Sequence, residues 1–324
     1  MSAPVPSCPA PSSRLTPWLV LAMLAMVMVP AAITLNTVRL PGALQVSDAN
    51  PTPYGYTGSL LLFIVPVVVI GFWFLPSEHV KLPRRAFWWT IGVLTPFGCA
   101  LDFFFASRFF LFRNPGATLR IPAPALGHTV PVEEYIFYFT GFLTILLLYI
   151  WLDEYWLSAY QCELHTSAKI ISRLLQFHPG SAILGVVLIS LAVLYKKEFT
   201  ANPEGLPWYF IILVVGGMVP SASFYPTARP FVNWRAFSLT MFFILLISLL
   251  WEATLGVPYK WWGYQQNEMM GMSIGAWAHL PIEAVCVWIA VTYGSIITFI
   301  VIKLWQASEK PARHAFLGVS HDRK

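Results

Sequence analysis

Charge is what this sequence has least of. Only 11% of its 324 residues are Asp, Glu, Lys or Arg, whereas 57% are hydrophobic, and its mean hydropathy is positive. A soluble domain carries about a quarter of its residues charged, which excludes a water-soluble two-domain protein of this length. Cysteine is also sparse. Cys8, Cys99, Cys162 and Cys286 stand far apart and form no C-x-x-C pair, which argues against a disulfide framework or a cysteine metal cluster. No H-x-x-x-H or clustered His/Asp pattern suggests a metal site. No G-x-G-x-x-G follows a strand-like segment, so no dinucleotide-binding fold is expected. The expected cofactor and metal complement is therefore none.

What the chain has in quantity is long apolar runs. Residues 1–16 form a Pro/Ser-rich tail that cannot pack and is expected to be disordered. After it come eight apolar blocks, at about 17–37, 58–76, 86–106, 131–152, 181–196, 207–225, 236–256 and 281–305. A bilayer-spanning helix needs about 20 apolar residues, and the fifth block is the shortest. The block after Arg14 is too long for a signal-peptide core and lacks a small-residue cleavage site. Of the 20 Lys and Arg, 13 fall on the side of the termini and 7 on the other. The positive-inside rule then places both termini and the segment 153–180 in the cytoplasm. The net charge of +5 is accordingly a topology signal, and no nucleic-acid partner is expected.

The blocks are internally related. Displaced by 150 positions, Arg85-Ala86-Phe87 falls on Arg235-Ala236-Phe237, Phe74 on Phe224 and Pro76 on Pro226. In the same register Asp102 falls on Glu252, and Pro131-Val132-Glu133 on Pro281-Ile282-Glu283. One such match could be chance, but several in one ungapped register indicate duplication. The expected fold is all-α and integral to the membrane, with eight helices as two tandem four-helix units. Its parts are the tail 1–16, a first unit 17–152, a cytoplasmic linker 153–180, a second unit 181–305 and a C-terminal tail 306–324. Even-numbered units insert in the same orientation, so the relating axis lies along the membrane normal.

Five acids lie within or at the edges of these blocks: Asp102, Glu133, Glu134, Glu252 and Glu283. Carboxylates at membrane depth are costly, and function is the default hypothesis for them. Proline followed by glutamate is also an ordinary helix start, so Glu133 and Glu283 have a capping alternative. Asp102 and Glu252 have none. Glu134 meets Ala284 in the other copy, so it either gives the site an asymmetry or is an interfacial charge. Asp153 and Glu154 end the fourth block and are expected to be solvated. His128 and His279 precede the two Pro-x-Glu turns one residue out of register and are expected to be interfacial. Aromatic residues make up 16% of the chain, and most serve interfaces and packing. Phe103, Phe104, Phe137, Tyr138, Trp251, Trp262 and Trp288 lie close in sequence to the acids and are the candidate substrate contacts. Aromatic faces stabilise cations without offering a nucleophile. Buried acids among them suit protonation of an apolar substrate and control of the resulting carbocation.

The segments P-V-E-E-Y-I-F-Y-F (131–139) and L-P-I-E-A (280–284) resemble the P-[VI]-E-E signature of the membrane-embedded lycopene cyclases. That family includes heterodimeric bacterial forms and fused fungal and archaeal forms. The approach W-W-G-Y-Q-Q-N-E-M-M-G-M-S-I (261–274) is similar to the loop before the family motif. The resemblance covers about the second half of each unit. It implies flavin-independent, non-redox ring closure at the end of a linear carotene such as lycopene, in a site built from both halves. It also implies a multi-pass protein of the cytoplasmic membrane that can associate with other carotenoid-pathway enzymes. The chain departs from the family at Ala284, where a second Glu is frequent, and in having four spans per unit rather than about three. Neither the D-x-D-D acid motif of soluble cyclases nor the D-D-x-x-D diphosphate motif is present. The alternatives are cyclisation of another isoprenoid, such as a meroterpenoid precursor, and a proton-coupled transporter.

Overall fold

The computed structural model describes residues 52–161, 171, 173–275 and 277–318. The expected tail 1–16, the first expected span 17–37 and the middle of the 153–180 linker lie outside the described residues. Within them, six helices are long and apolar enough to cross a bilayer: α1 (Gly55–Ser77), α2 (Arg84–Phe109), α3 (Val132–Trp156), α4 (Pro179–Phe199), α6 (Trp234–Gly256) and α7 (Ile282–Ala307). Between α4 and α6, α5 (Trp208–Ser223) continues into Tyr225–Phe231 after a 58° bend, and this pair makes a seventh candidate. Pro220 and Pro226 flank the bend, and proline removes a helical N–H and crowds the preceding turn. The block at 181–196 gives a full 21-residue helix rather than a short one, because His178 extends it backwards. Its Nδ1 accepts from the Ser181 N–H at 3.2 Å, and Pro179 occupies the first position.

The other helix starts are set in similar ways. Pro83, Pro131 and Pro281 precede α2, α3 and α7, and their restricted φ fixes the direction of entry. Asn233 caps α6 by accepting from the Ala236 N–H at 3.3 Å. Helices α3 and α7 pack against one another at the centre of the bundle. Helices α1, α2 and α6 pack on α3, while α2, α5 and α6 pack on α7, and α4 lies against α5. Of the most apolar 18 residues, 67% are buried in α3 but only 22% in α1 and in α4. The outer helices instead expose large apolar residues such as Phe72, Trp73, Ile183 and Val186, as a lipid-facing surface requires.

At one end of the bundle the connections between α2 and α3 and between α6 and α7 meet. Strand β1 (Phe110–Leu111) in the first pairs antiparallel with β4 (Gly263–Tyr264) in the second, Phe110 opposite Tyr264 and Leu111 opposite Gly263. Each connection also holds its own short hairpin: β2 (Pro122–Ala125) with β3 (His128–Pro131), and β5 (Ser273–Ile274) with β6 (Leu280–Pro281). Arg108 spans the two connections through its ion pair with Glu268 at 2.8 Å. Lys196 of α4 is buried and donates to the carbonyls of Asn267, at 2.5 Å, and Met269, at 2.7 Å.

The opposite end corrects one expectation. Asp153 is only 3% exposed, not solvated. It falls four residues after Tyr149 and seven after Leu146, both fully buried, so it continues the inward stripe of α3. Gln161 donates to it at 3.4 Å, and the neighbouring Glu154 pairs with Lys303 of α7 at 3.1 Å.

A candidate active site at the meeting of the two loops

The first turns of α3 and α7 carry the motif acids. Glu133 and Glu134 are the second and third residues of α3, about 100° apart around its axis, and they face different surroundings. Glu133 is fully buried against the loop. Its Oε1 accepts from the Leu119 N–H at 2.7 Å and from the Thr57 hydroxyl at 2.5 Å. Glu283 of α7 is buried in the same way and accepts from the Met270 N–H. Each fastens the backbone of the preceding connection to a helix start. Beside them the Val132 N–H bonds the Ile121 carbonyl at 3.0 Å, and the Ile282 N–H bonds that of Met272 at 3.0 Å.

Glu134 faces the interior. It is buried and accepts from the Tyr56 hydroxyl of α1. Tyr138, one turn beyond Glu134, donates to Asp102 Oδ1 at 3.0 Å. Gly98 makes that approach possible: a Cβ there would lie 2.5 Å from the Tyr138 ring. Asp102 and Glu134, buried on neighbouring helices beside Tyr138, disfavour one another's charged form, so the two do not ionise together.

A second acid stands 150 residues further on. Glu252 of α6 accepts at Oε1 from Trp288 Nε1, at 2.8 Å, and at Oε2 from the Tyr264 hydroxyl. Trp288 and Tyr138 are themselves 150 residues apart, so the contact from α7 to α6 repeats that from α3 to α2. Trp262 packs on Trp251, beside Glu252. Burial, with the Glu252 charge beside it, holds the Tyr264 hydroxyl well above the usual tyrosine range. It therefore stays protonated and donates.

These groups surround one cavity of about 80 Å³. Glu134 and Glu252 both line it, with walls from Phe137, Tyr138, Trp251, Trp262 and Trp288. The rings are mutually packed: Trp251 and Trp262 have centroids 4.4 Å apart, and Phe137 and Trp251 5.3 Å. Asp102 reaches the cavity through Glu134 and Tyr138. Glu133 and Glu283 lie behind the wall. Phe103 and Phe104 do not line the cavity, because they follow Asp102 by about 100° and 200° around α2 and turn away from it. Phe104 is 53% exposed on the outer surface. Tyr56, Tyr209, Phe110 and Phe112 join the lining from segments not singled out in the sequence. Tyr56 lies just before the apolar block of α1, and no local pattern ties it to an acid 78 residues away.

Among the described residues no group of three or more His, Cys, Asp or Glu is arranged to hold a metal ion. Comparisons with protein-family models, curated proteins and solved structures find no match to this chain.

Proposed function

We propose that the chain is an isoprenoid cyclase that closes an end ring on a linear carotene of the lycopene type, without net redox change. The observation that carries this is an aromatic cavity with Glu134 and Glu252, one from each half of the chain, on its wall. Protonating a terminal trisubstituted alkene gives a tertiary cation, an internal double bond attacks it, and a proton is lost from carbon. Alkenes are poor bases, so the site must favour the cationic transition state over the substrate. Fixed carboxylates and aromatic faces in a dry cavity supply that preference. A proton-coupled carrier is disfavoured. Carriers bind their ions at broken helices near the bilayer midplane, whereas the bend of α5 lies at the far end from the acids.

The architecture we infer is two tandem four-helix units, eight spans in all. Supporting it, α2 and α6 begin at Arg84 and Trp234, and α3 and α7 at Val132 and Ile282, each pair 150 residues apart. Both termini then face the cytoplasm of a cytoplasmic membrane. Reporters fused after residues 120 and 270 are expected on the outer side, and those after 160 and 310 on the inner side. A split between 120 and 270 would contradict the two-unit arrangement.

The cyclase assignment is tested by expressing the protein in cells that accumulate lycopene and resolving their pigments. Cyclic carotene is the expected result. Lycopene left unchanged at normal membrane abundance of the protein would contradict it.

A further inference from the structure

The hydrogen bonds around the cavity separate the acids by role. On one side, Asp102 and Glu134 are both buried on neighbouring helices beside Tyr138, and two nearby carboxyl groups away from water do not both ionise, so the pair holds at least one proton. Tyr56 donates to Glu134 and Tyr138 to Asp102, so both phenolic protons are additional to that one. On the other side, the Trp288 indole N–H donates to one oxygen of Glu252 and the Tyr264 hydroxyl to the other. An indole only donates, and two donors on the two oxygens favour the charged form of a carboxyl group. The sequence shows the same asymmetry, since Ala284 stands where Glu134 has its counterpart. The second half therefore has no carboxyl pair to store a proton.

We propose that Glu134 is the proton donor of the cavity and Glu252 its proton acceptor, one from each half of the chain. The assignment rests on the cyclase reading. The Glu134 proton passes to the terminal alkene, whose π pair becomes a C–H bond. The internal alkene then gives its π pair to the new ring bond. A C–H bond beside the resulting cation breaks, its electrons form the ring double bond, and its proton goes to the Glu252 carboxylate. One proton enters and one leaves, so no oxidant or reductant is needed. Solvent returns a proton to the Asp102–Glu134 pair and removes one from Glu252 between turnovers. The two carboxylates left by donation face the cation, an attraction little screened away from water. Asp102, Tyr264 and Trp288 act as positioning residues. With one donor in one cavity, the two ends of a carotene are cyclised in separate binding events.

The test incubates membranes containing wild-type, Glu134→Gln or Glu252→Gln protein with lycopene in deuterated buffer, and weighs both the product and the recovered lycopene. Glu134→Gln should lower ring formation about 100- to 10,000-fold and deuteration of the recovered lycopene in parallel, because protonation is the step it removes. Glu252→Gln should lower ring formation about 100-fold but leave deuterium in recovered lycopene, because the protonated chain reverts by losing a proton to the pair. Tyr264→Phe keeps the Glu252 carboxylate and should show a weaker form of the same pattern. Deuterium exchange at the wild-type level in Glu134→Gln, or full ring formation in Glu252→Gln, would overturn the assignment while leaving the cyclase reading intact. Wild-type membranes that form no ring would overturn both.

Discussion

Glutamine in place of Glu134 is expected to lower ring formation about 100- to 10,000-fold at normal protein abundance, the range for removal of a general acid. Glutamine in place of Glu133, one residue away, is expected to do something different. Glu133 Oε1 holds the Leu119 N–H and the Thr57 hydroxyl, and a glutamine oxygen can accept both. Its other oxygen is buried with no partner among the described residues, so an amide there leaves N–H groups unsatisfied. That costs about 1–3 kcal/mol. The Glu133→Gln protein should therefore be less abundant or less heat-stable, with turnover per molecule within a few-fold of wild type. Immunoblotting of membranes beside pigment analysis separates the two effects. Equal losses of turnover at both positions would contradict the division between loop anchor and cavity acid.

The second large effect is expected at Gly256. A Cβ there would fall 2.1 Å from the Trp262 ring, far inside contact distance, so Gly256→Ala must displace a wall of the cavity. Overpacking of this kind costs about 1–3 kcal/mol, and moving Trp262 also disturbs its packing on Trp251 in the cavity wall. Product is expected to fall at least about tenfold, since small misplacements of catalytic groups are costly. Gly58→Ala is the control, because a Cβ at that position meets nothing within 4 Å. Product from Gly256→Ala equal to that from Gly58→Ala would show that Trp262 does not shape the site.

Much of this was legible in the chain, for identifiable reasons. Apolar runs report helices directly, because a lipid-facing surface demands them, and the described helices fall on seven of the eight expected blocks. The 150-residue register brought Asp102 and Glu252 forward as a pair before any contact was known. The sequence did not separate Glu133 from Glu134. Adjacent residues on a helix share a motif but not a direction, and direction depends on the rotation of α3 in the bundle. The rotation of α2 likewise removes Phe103 and Phe104 from the wall despite their closeness to Asp102. Asp153 was misjudged from its position at a block end, although its spacing from Leu146 and Tyr149 marks an inward stripe. Tyr56 and Tyr209 reach the acids only through tertiary packing. The junction of β1 with β4, which joins the two loops over the site, involves two residues from each strand and leaves almost no periodic signal.

The most direct measurement of the central claim is isotopic. Flavin-stripped membranes containing the wild-type protein are incubated with lycopene in deuterated buffer, at low protein-to-substrate ratio, and the cyclic product is weighed. Ring closure begun by a carboxyl proton adds one hydrogen from the protein and removes a different one from carbon. The carboxyl proton exchanges with water when the site is wet between turnovers. Each new ring should therefore carry one solvent-derived deuterium, with no reductant consumed. Cyclic product that forms only when reduced flavin is added, or that carries no solvent deuterium, would contradict protonation-driven cyclisation by the acids of this cavity.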